Sequence, residues 1–110
     1  MNESRTELQA LLRHLVRMQM AGLGWMESLQ IWRDSCSGLK RKRKIEHIME
    51  RLRMGQSLSN ALARGGWISG APLALSRVAE GSGIWAKQMN EWLQQSAQQD
   101  RGIRGSPELT

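Results

Sequence analysis

The sequence predicts an all-α protein: a compact bundle of about six short antiparallel helices. Apolar residues recur at i, i+3, i+4 and i+7 along most of the chain, and no segment alternates apolar and polar residues over the length of a strand. Three glycine-bearing corners, at Gly22–Gly24, at Gly55 and at Gly81–Gly83, punctuate the stripes. At 110 residues the chain is expected to form one domain with a modest core. Phe and Tyr are absent, so five Trp and seven Met must fill volume beside Leu and Ile. Methionine is a flexible gap-filler, which suggests an adaptable interior.

The first helix is expected to open on a capping box, Ser4-Arg5-Thr6-Glu7, and to end at Ala21-Gly22. Leu8, Leu11, Leu12, Leu15 and Val16 mark its apolar face. Gly22-Leu23-Gly24 is long enough only to reverse direction, so the second helix packs antiparallel, with Trp25, Leu29 and Trp32 on one side. It stops near Ser35–Gly38. The third carries Ile45, Ile48, Met49 and Leu52 and ends at Gly55. Ser57 then N-caps a short fourth helix bearing Leu58, Ala61 and Leu62. So short a helix depends on tertiary packing.

Residues 64–71 form a glycine-rich connection with Trp67-Ile68 as its apolar anchor. Pro72 suits the first turn of a fifth helix over Leu73–Ala79, where its lack of an N–H costs nothing. The sixth runs from about Gly83 to Gln99, with Trp85, Met89, Trp92, Leu93 and Ser96 on one side. The domain is therefore expected over residues 1–99. Residues 100–110 are expected to be a flexible tail, either a linker toward a membrane-spanning helix outside this chain or a cloning remnant. The stripes predict burial of Leu12, Leu15, Leu29, Trp32, Ile48, Leu52, Leu62, Leu75, Val78, Met89 and Trp92.

Charge is concentrated in one place. The net charge is +6, yet residues 40–53 alone hold seven basic residues against Glu46 and Glu50. Lys40, Arg41, Lys42, Arg43 and Lys44 stand at the start of a helix, where cations oppose the macrodipole. Such a patch suits an acidic protein partner, an anionic leaflet or nucleic acid; the bland alternative is a solvated face offset by local pairs. Lys42 with Glu46, and Glu50 with Arg53, have the spacing for such pairs. A small basic nucleic-acid-binding regulator of the helix-turn-helix kind is the alternative function. It is disfavoured because the helix after Gly55 offers only Ser57, Ser59, Asn60 and Arg64 while the cations precede the turn.

No catalytic constellation is present in the sequence, and neither a cofactor nor a metal is expected. His14 and His47 lie on different helices without a neighbour at metal-ligand spacing, and are expected at the surface or rim. Cys36 is the single cysteine, without a base placed beside it, and is expected to be a structural thiol in a reducing compartment. Ser57 and Ser82 do not sit in a nucleophile elbow, and Gly81-Ser82-Gly83 lacks the strand and Lys of a phosphate loop. Glu80 has no evident acid or base partner. The Trp85-Met89-Trp92 stripe is expected to be core rather than a cofactor box. No apolar run approaches the ~20 residues that cross a bilayer, and no signal peptide follows Met1, so the chain as given is expected to be soluble.

The corners also carry a resemblance. Ala21-Gly22-Leu23 with Leu29, then Gly55-Gln56-Ser57-Leu58 with Ala61-Leu62, then Val78-Ala79-Glu80-Gly81-Ser82-Gly83 follow in this order over most of the chain. Together they resemble the A-G-L-x-x-x-x-x-L, G-x-S-L-x-x-A-L and V-x-E-x-S-G motifs of the F-type inner-membrane platform proteins of type II secretion systems and type IV pili, in their cytoplasmic domain. Departures are Gly24 where Pro is common, Trp67-Ile68 for a Phe-Pro-like pair, and Ile84-Trp85 for a residue-Leu pair.

The resemblance implies a six-helix bundle at the cytoplasmic face of the bacterial inner membrane. It implies a non-catalytic domain, the first or the second of two cytoplasmic repeats, tethered by membrane segments absent from this chain. The implied role is to couple the assembly ATPase to pilin insertion alongside other inner-membrane assembly proteins, with a weak homodimer expected and nucleic acid not expected as a partner. Lys40, Arg41, Lys42, Arg43 and Lys44, with Glu80, Gly81, Ser82 and Gly83, are the expected docking residues.

Overall fold

The computed structural model describes residues 3–109, with side chains described over 5–97. Six helices follow in order: α1 (Glu3–Met20), α2 (Trp25–Ser35), α3 (Leu39–Arg53), α4 (Leu58–Arg64), α5 (Gly70–Ser82) and α6 (Trp85–Leu109). Each packs on the next, and α6 returns against α1, so the bundle closes on itself. No strand occurs among the described residues.

Four helix ends share one device, the end of α4 among them, where the Gly66 and Trp67 amides donate to the Ala63 and Leu62 carbonyls at 3.0 and 2.9 Å. The Leu23, Gln56 and Ile84 amides donate to the Met18, Arg51 and Ala79 carbonyls at 2.9, 3.1 and 3.1 Å. The preceding glycines donate to Gln19, Leu52 and Glu80. These paired bonds are Schellman closures, which need a residue in the left-handed region. Gly83 supplies it at φ +74, where an L side chain would be strained.

The interior is aliphatic and continuous. Leu11, Leu12 and Leu15 of α1 meet Leu29, Ile45, Ile48, Met49, Leu58, Leu62 and Met89, all at most 1% exposed. Ile68 is buried at 3%, so the α4–α5 connection is pinned as its apolar pair predicts. Trp85 is buried and meets Trp25 edge-on, with centroids 4.9 Å apart. Trp32, Leu52, Leu75 and Trp92, expected to be largely buried, are half-buried against the core.

Several expectations are corrected. Val78 is 69% exposed. The inward face of α5 runs instead through Ser76 and Ala79, small residues that let Trp85 approach closely. His14 is buried at 6% and not at the rim. The stripe of α1 is wide because α1 packs on both α2 and α6. The His14 Nε2 lies 2.7 Å from the Ser28 carbonyl, and its ring rests 4.9 Å from that of Trp32. Ser4 falls inside α1 rather than before it, and Glu7 reaches Lys44 instead of closing a capping box. The Ser4 side chain itself lies outside the described residues. Glu46 turns to Arg33 of α2 at 3.8 Å and not to Lys42, whereas the Arg53–Glu50 pair forms at 3.3 Å. The fifth and sixth helices outrun their expected bounds: α5 spans the whole Glu80–Ser82 stretch, and α6 continues beyond Gln99 to Leu109.

Candidate functional site

The residues singled out in the sequence fall at opposite ends of the bundle. The ends of α1, α3 and α5 gather around Trp25. One shallow depression beside it is lined by Gln19, Glu80 and Gly83, another by Gly24, Leu52 and Gly55. The starts of α1 and α3 meet at the far end, where Glu7, Arg41 and Lys44 share a cavity with Trp67 of the α4–α5 connection. Antiparallel packing makes this division: each of the three corners turns an odd-numbered helix into the next even one, all on one side.

At the corner end, Glu80 is committed to the fold. Its Oε2 accepts the Leu58 amide at 2.8 Å, and its Oε1 accepts the Ser59 amide at 3.0 Å and the Ser59 hydroxyl at 2.7 Å. Ser57 caps the same helix by accepting the Asn60 amide at 3.1 Å, as its position predicts. A carboxylate at the start of α4 also meets the positive end of its dipole.

The network runs on inward. The Ser59 and Ser76 hydroxyls are 2.7 Å apart, and the Trp85 indole N–H donates to the Ser76 Oγ at 2.8 Å. Indole only donates and a carboxylate only accepts, so the hydroxyl protons must all point one way, from Trp85 through Ser76 and Ser59 to Glu80. This order gives each of the four side chains of the network a partner of the right kind. Two sequence motifs are thus one structural unit: the Glu of V-x-E-x-S-G caps the helix opened by the Ser-Leu of G-x-S-L-x-x-A-L. Around it, Gly81 and Gly83 are exposed, and the exposed Ser82 hydroxyl donates to its own helix at the Val78 carbonyl. The sequence marked Glu80 but held no sign of this partner, because helix capping across 22 residues has no local spacing rule.

At the far end, the five cations divide into two groups. Lys44 donates to Glu7 Oε1 at 3.1 Å, and Arg41 approaches Glu7 Oε2 at 3.6 Å, together tying α3 to α1. The Lys44 ammonium also lies 4.6 Å from the Trp67 ring centroid, a cation–π contact. Lys40, Lys42 and Arg43 make no ion pair with any described residue, and Lys40 and Arg43 are exposed. The helix start they share has no relief: Gly38, the N-cap, offers no side chain, and the first turn holds no acid. Each badly placed cation there costs ~0.3–1 kcal/mol.

His47 is exposed and His14 buried, on separate helices. Cys36 is half-buried at the end of α2. Among the described residues no group of three His, Cys, Asp or Glu could hold a metal ion. No described helix is long and apolar enough to cross a membrane.

A search of curated proteins finds no significant match to this sequence. The family model for type II secretion system (T2SS) protein F, however, matches residues 11–101, a span that takes in all three corners and both ends of the bundle. On that match the chain belongs to the family of type II secretion system protein F, whose members are inner-membrane platform proteins of secretion and pilus assembly.

Proposed function

We propose that this chain is a non-catalytic docking domain of a type IV pilus or type II secretion platform, and that the free cations at the start of α3 receive the assembly ATPase. The single observation that carries this is the division among the five cations. Arg41 and Lys44 are engaged with Glu7, whereas Lys40, Lys42 and Arg43 crowd a helix start that has no acid of its own. A local conflict of this kind, uncompensated among the described residues, is expected where function demands it. An acidic partner surface would relieve both the mutual repulsion and the opposed dipole. Docking here would couple the ATPase, at the cytoplasmic face of the inner membrane, to pilin insertion through membrane segments outside this chain.

Glu80 enters this reading as the residue that holds the corner rigid, with Gly81, Ser82 and Gly83 as the surface it presents. The same reading includes a weak homodimer, for which Met20, Met54 and Ile84 supply adaptable exposed apolar surface at the corner end. The nucleic-acid alternative is less well supported. The α4 helix buries Leu58, Ser59, Ala61 and Leu62, and its Asn60 is held by Arg77 at 3.2 Å, which leaves no row of base-reading side chains.

The test is replacement of Lys40, Lys42 and Arg43 by Glu in the full platform protein, with Arg41 and Lys44 left to hold α1. Loss of pilus or pseudopilus assembly and of ATPase co-purification, with the fold intact, supports the proposal. Tight binding of duplex DNA by the unaltered chain at physiological salt, together with normal assembly by the variant, overturns it.

A further inference from the structure

Between the start of α1, the end of α2 and the first turns of α3 lies a cavity of about 240 Å³ that opens beside the basic face. Its walls are apolar: Ala10, Trp32, Ile45 and Trp67. Its rim is ionic, with Arg41 and Lys44 against the one carboxylate of Glu7. Close-packed interiors rarely leave such space beside two indoles, since the lining atoms forfeit their dispersion contacts. The volume falls below the ~300–1,000 Å³ of small-molecule sites, so it fits one large apolar side chain rather than a metabolite. Tryptophan-lined pockets of this kind are where binding energy concentrates in protein interfaces.

We infer that this cavity receives a single apolar side chain from an acidic segment of the protein partner, the flanking carboxylates meeting Lys40 and Lys42 at the two edges of the Arg41–Lys44–Ile45 face. The inference rests on the docking role proposed above and deepens it by naming the anchor. The occupant is acidic because the charged neighbours are cations in excess: Glu7 already satisfies Arg41 and Lys44, and Lys40, Lys42 and Arg43 have no carboxylate partner among the described residues. Charge would then steer and orient the segment, and the apolar anchor would set its residence time.

Cys36 lines the cavity and is the only cysteine of the chain, so its reactivity reports occupancy directly. The probe is a fluorescein-labelled, end-blocked peptide with a central Leu between paired glutamates. One control replaces the Leu by Ser, the other every Glu by Lys. Binding to the full chain is read by anisotropy, and the rate of Cys36 alkylation by N-ethylmaleimide is read in parallel. The Leu peptide is expected to bind at least about tenfold more tightly than the Ser peptide. It is also expected to slow alkylation about fivefold, while the Lys peptide does neither.

Ala10→Met and Cys36→Met each fill the cavity without touching charge. Either one, where its unfolding midpoint is retained, is expected to weaken the Leu peptide about tenfold. Equal affinity for the Leu and Ser peptides, no binding of the Leu peptide at about 1 mM, or undiminished binding by the filled variants overturns the inference. Failure confined to the filled variants, with binding still abolished by Glu at 40, 42 and 43, sinks the anchor and leaves the docking reading standing. Protection of Cys36 by phosphatidylglycerol vesicles but not by the Leu peptide assigns the face to a membrane and also overturns it.

Discussion

The carboxylate of Glu80, in the last turns of α5, caps the first turn of α4 by accepting the Leu58 amide at 2.8 Å. A seven-residue helix such as α4 cannot stand alone in water, so this bond and its companions at Ser59 decide whether α4 forms in place. Through Ser76 and Trp85 the same carboxylate is tied to the start of α6.

Glu80→Ala is therefore expected to destabilise the domain by roughly 2–3 kcal/mol, because two α4 amides and a hydroxyl lose a charged acceptor. Urea unfolding of Glu80→Ala, Ser59→Ala and the double variant would measure the coupling. The two effects should sum to more than the double variant shows, by about 1 kcal/mol. Strict additivity would mean that the network does not act as a unit.

Backbone conformation makes opposite forecasts at two glycines. Gly83 at φ +74 has open space around an added Cβ, so Gly83→Ala is penalised by backbone strain alone, about 1–2 kcal/mol. Gly24, at φ −75 and likewise uncrowded, already adopts the geometry of Pro. Gly24→Pro should raise stability by about 0.4–1 kcal/mol by narrowing the unfolded ensemble. Thermal unfolding of both variants checks the pair; a destabilised Gly24→Pro would show that the corner needs more freedom than φ alone requires.

His14 is the buried polar residue that pattern reading misplaced. His14→Phe keeps a ring against Trp32 but strips the Ser28 carbonyl of its side-chain partner. A loss of about 1 kcal/mol is expected by chemical denaturation. A gain in stability would mean that ring packing outweighs the hydrogen bond.

Much of the architecture was legible because the helices carry their own punctuation. Gly22, Gly55, Gly66 and Gly83 mark four Schellman closures, Ser57 caps α4, and Ile68 anchors the loop before α5. What escaped was set by neighbours rather than by local spacing. Val78 lies outside because Trp85 needs the small Ser76 and Ala79 beneath it. His14 lies inside because two helices flank α1. Glu7 serves α3 instead of its own helix, since Lys44 is brought within 3.1 Å of it from 37 residues away. For the same reason the basic run read as one patch, whereas contact with Glu7 separates Arg41 and Lys44 from the rest.

The proposed homodimer would use the exposed Met20 and Met54 at the corner end. Sedimentation velocity over a wide concentration range should show a weak monomer–dimer equilibrium that Met20→Ser with Met54→Ser shifts toward monomer. Monomer alone at the highest concentration would remove the homodimer from the proposed role.

The central claim is that the free cations of α3 form the docking face, and binding of the assembly ATPase tests it most directly. Affinity for the ATPase would be measured for the unaltered chain and for the variant with Lys40, Lys42 and Arg43 changed to Glu, at low and at physiological salt. The account predicts a loss of at least about tenfold in the variant and a flattened salt dependence, with unfolding midpoints unchanged. Equal affinity and an equal salt slope for the two proteins would contradict it.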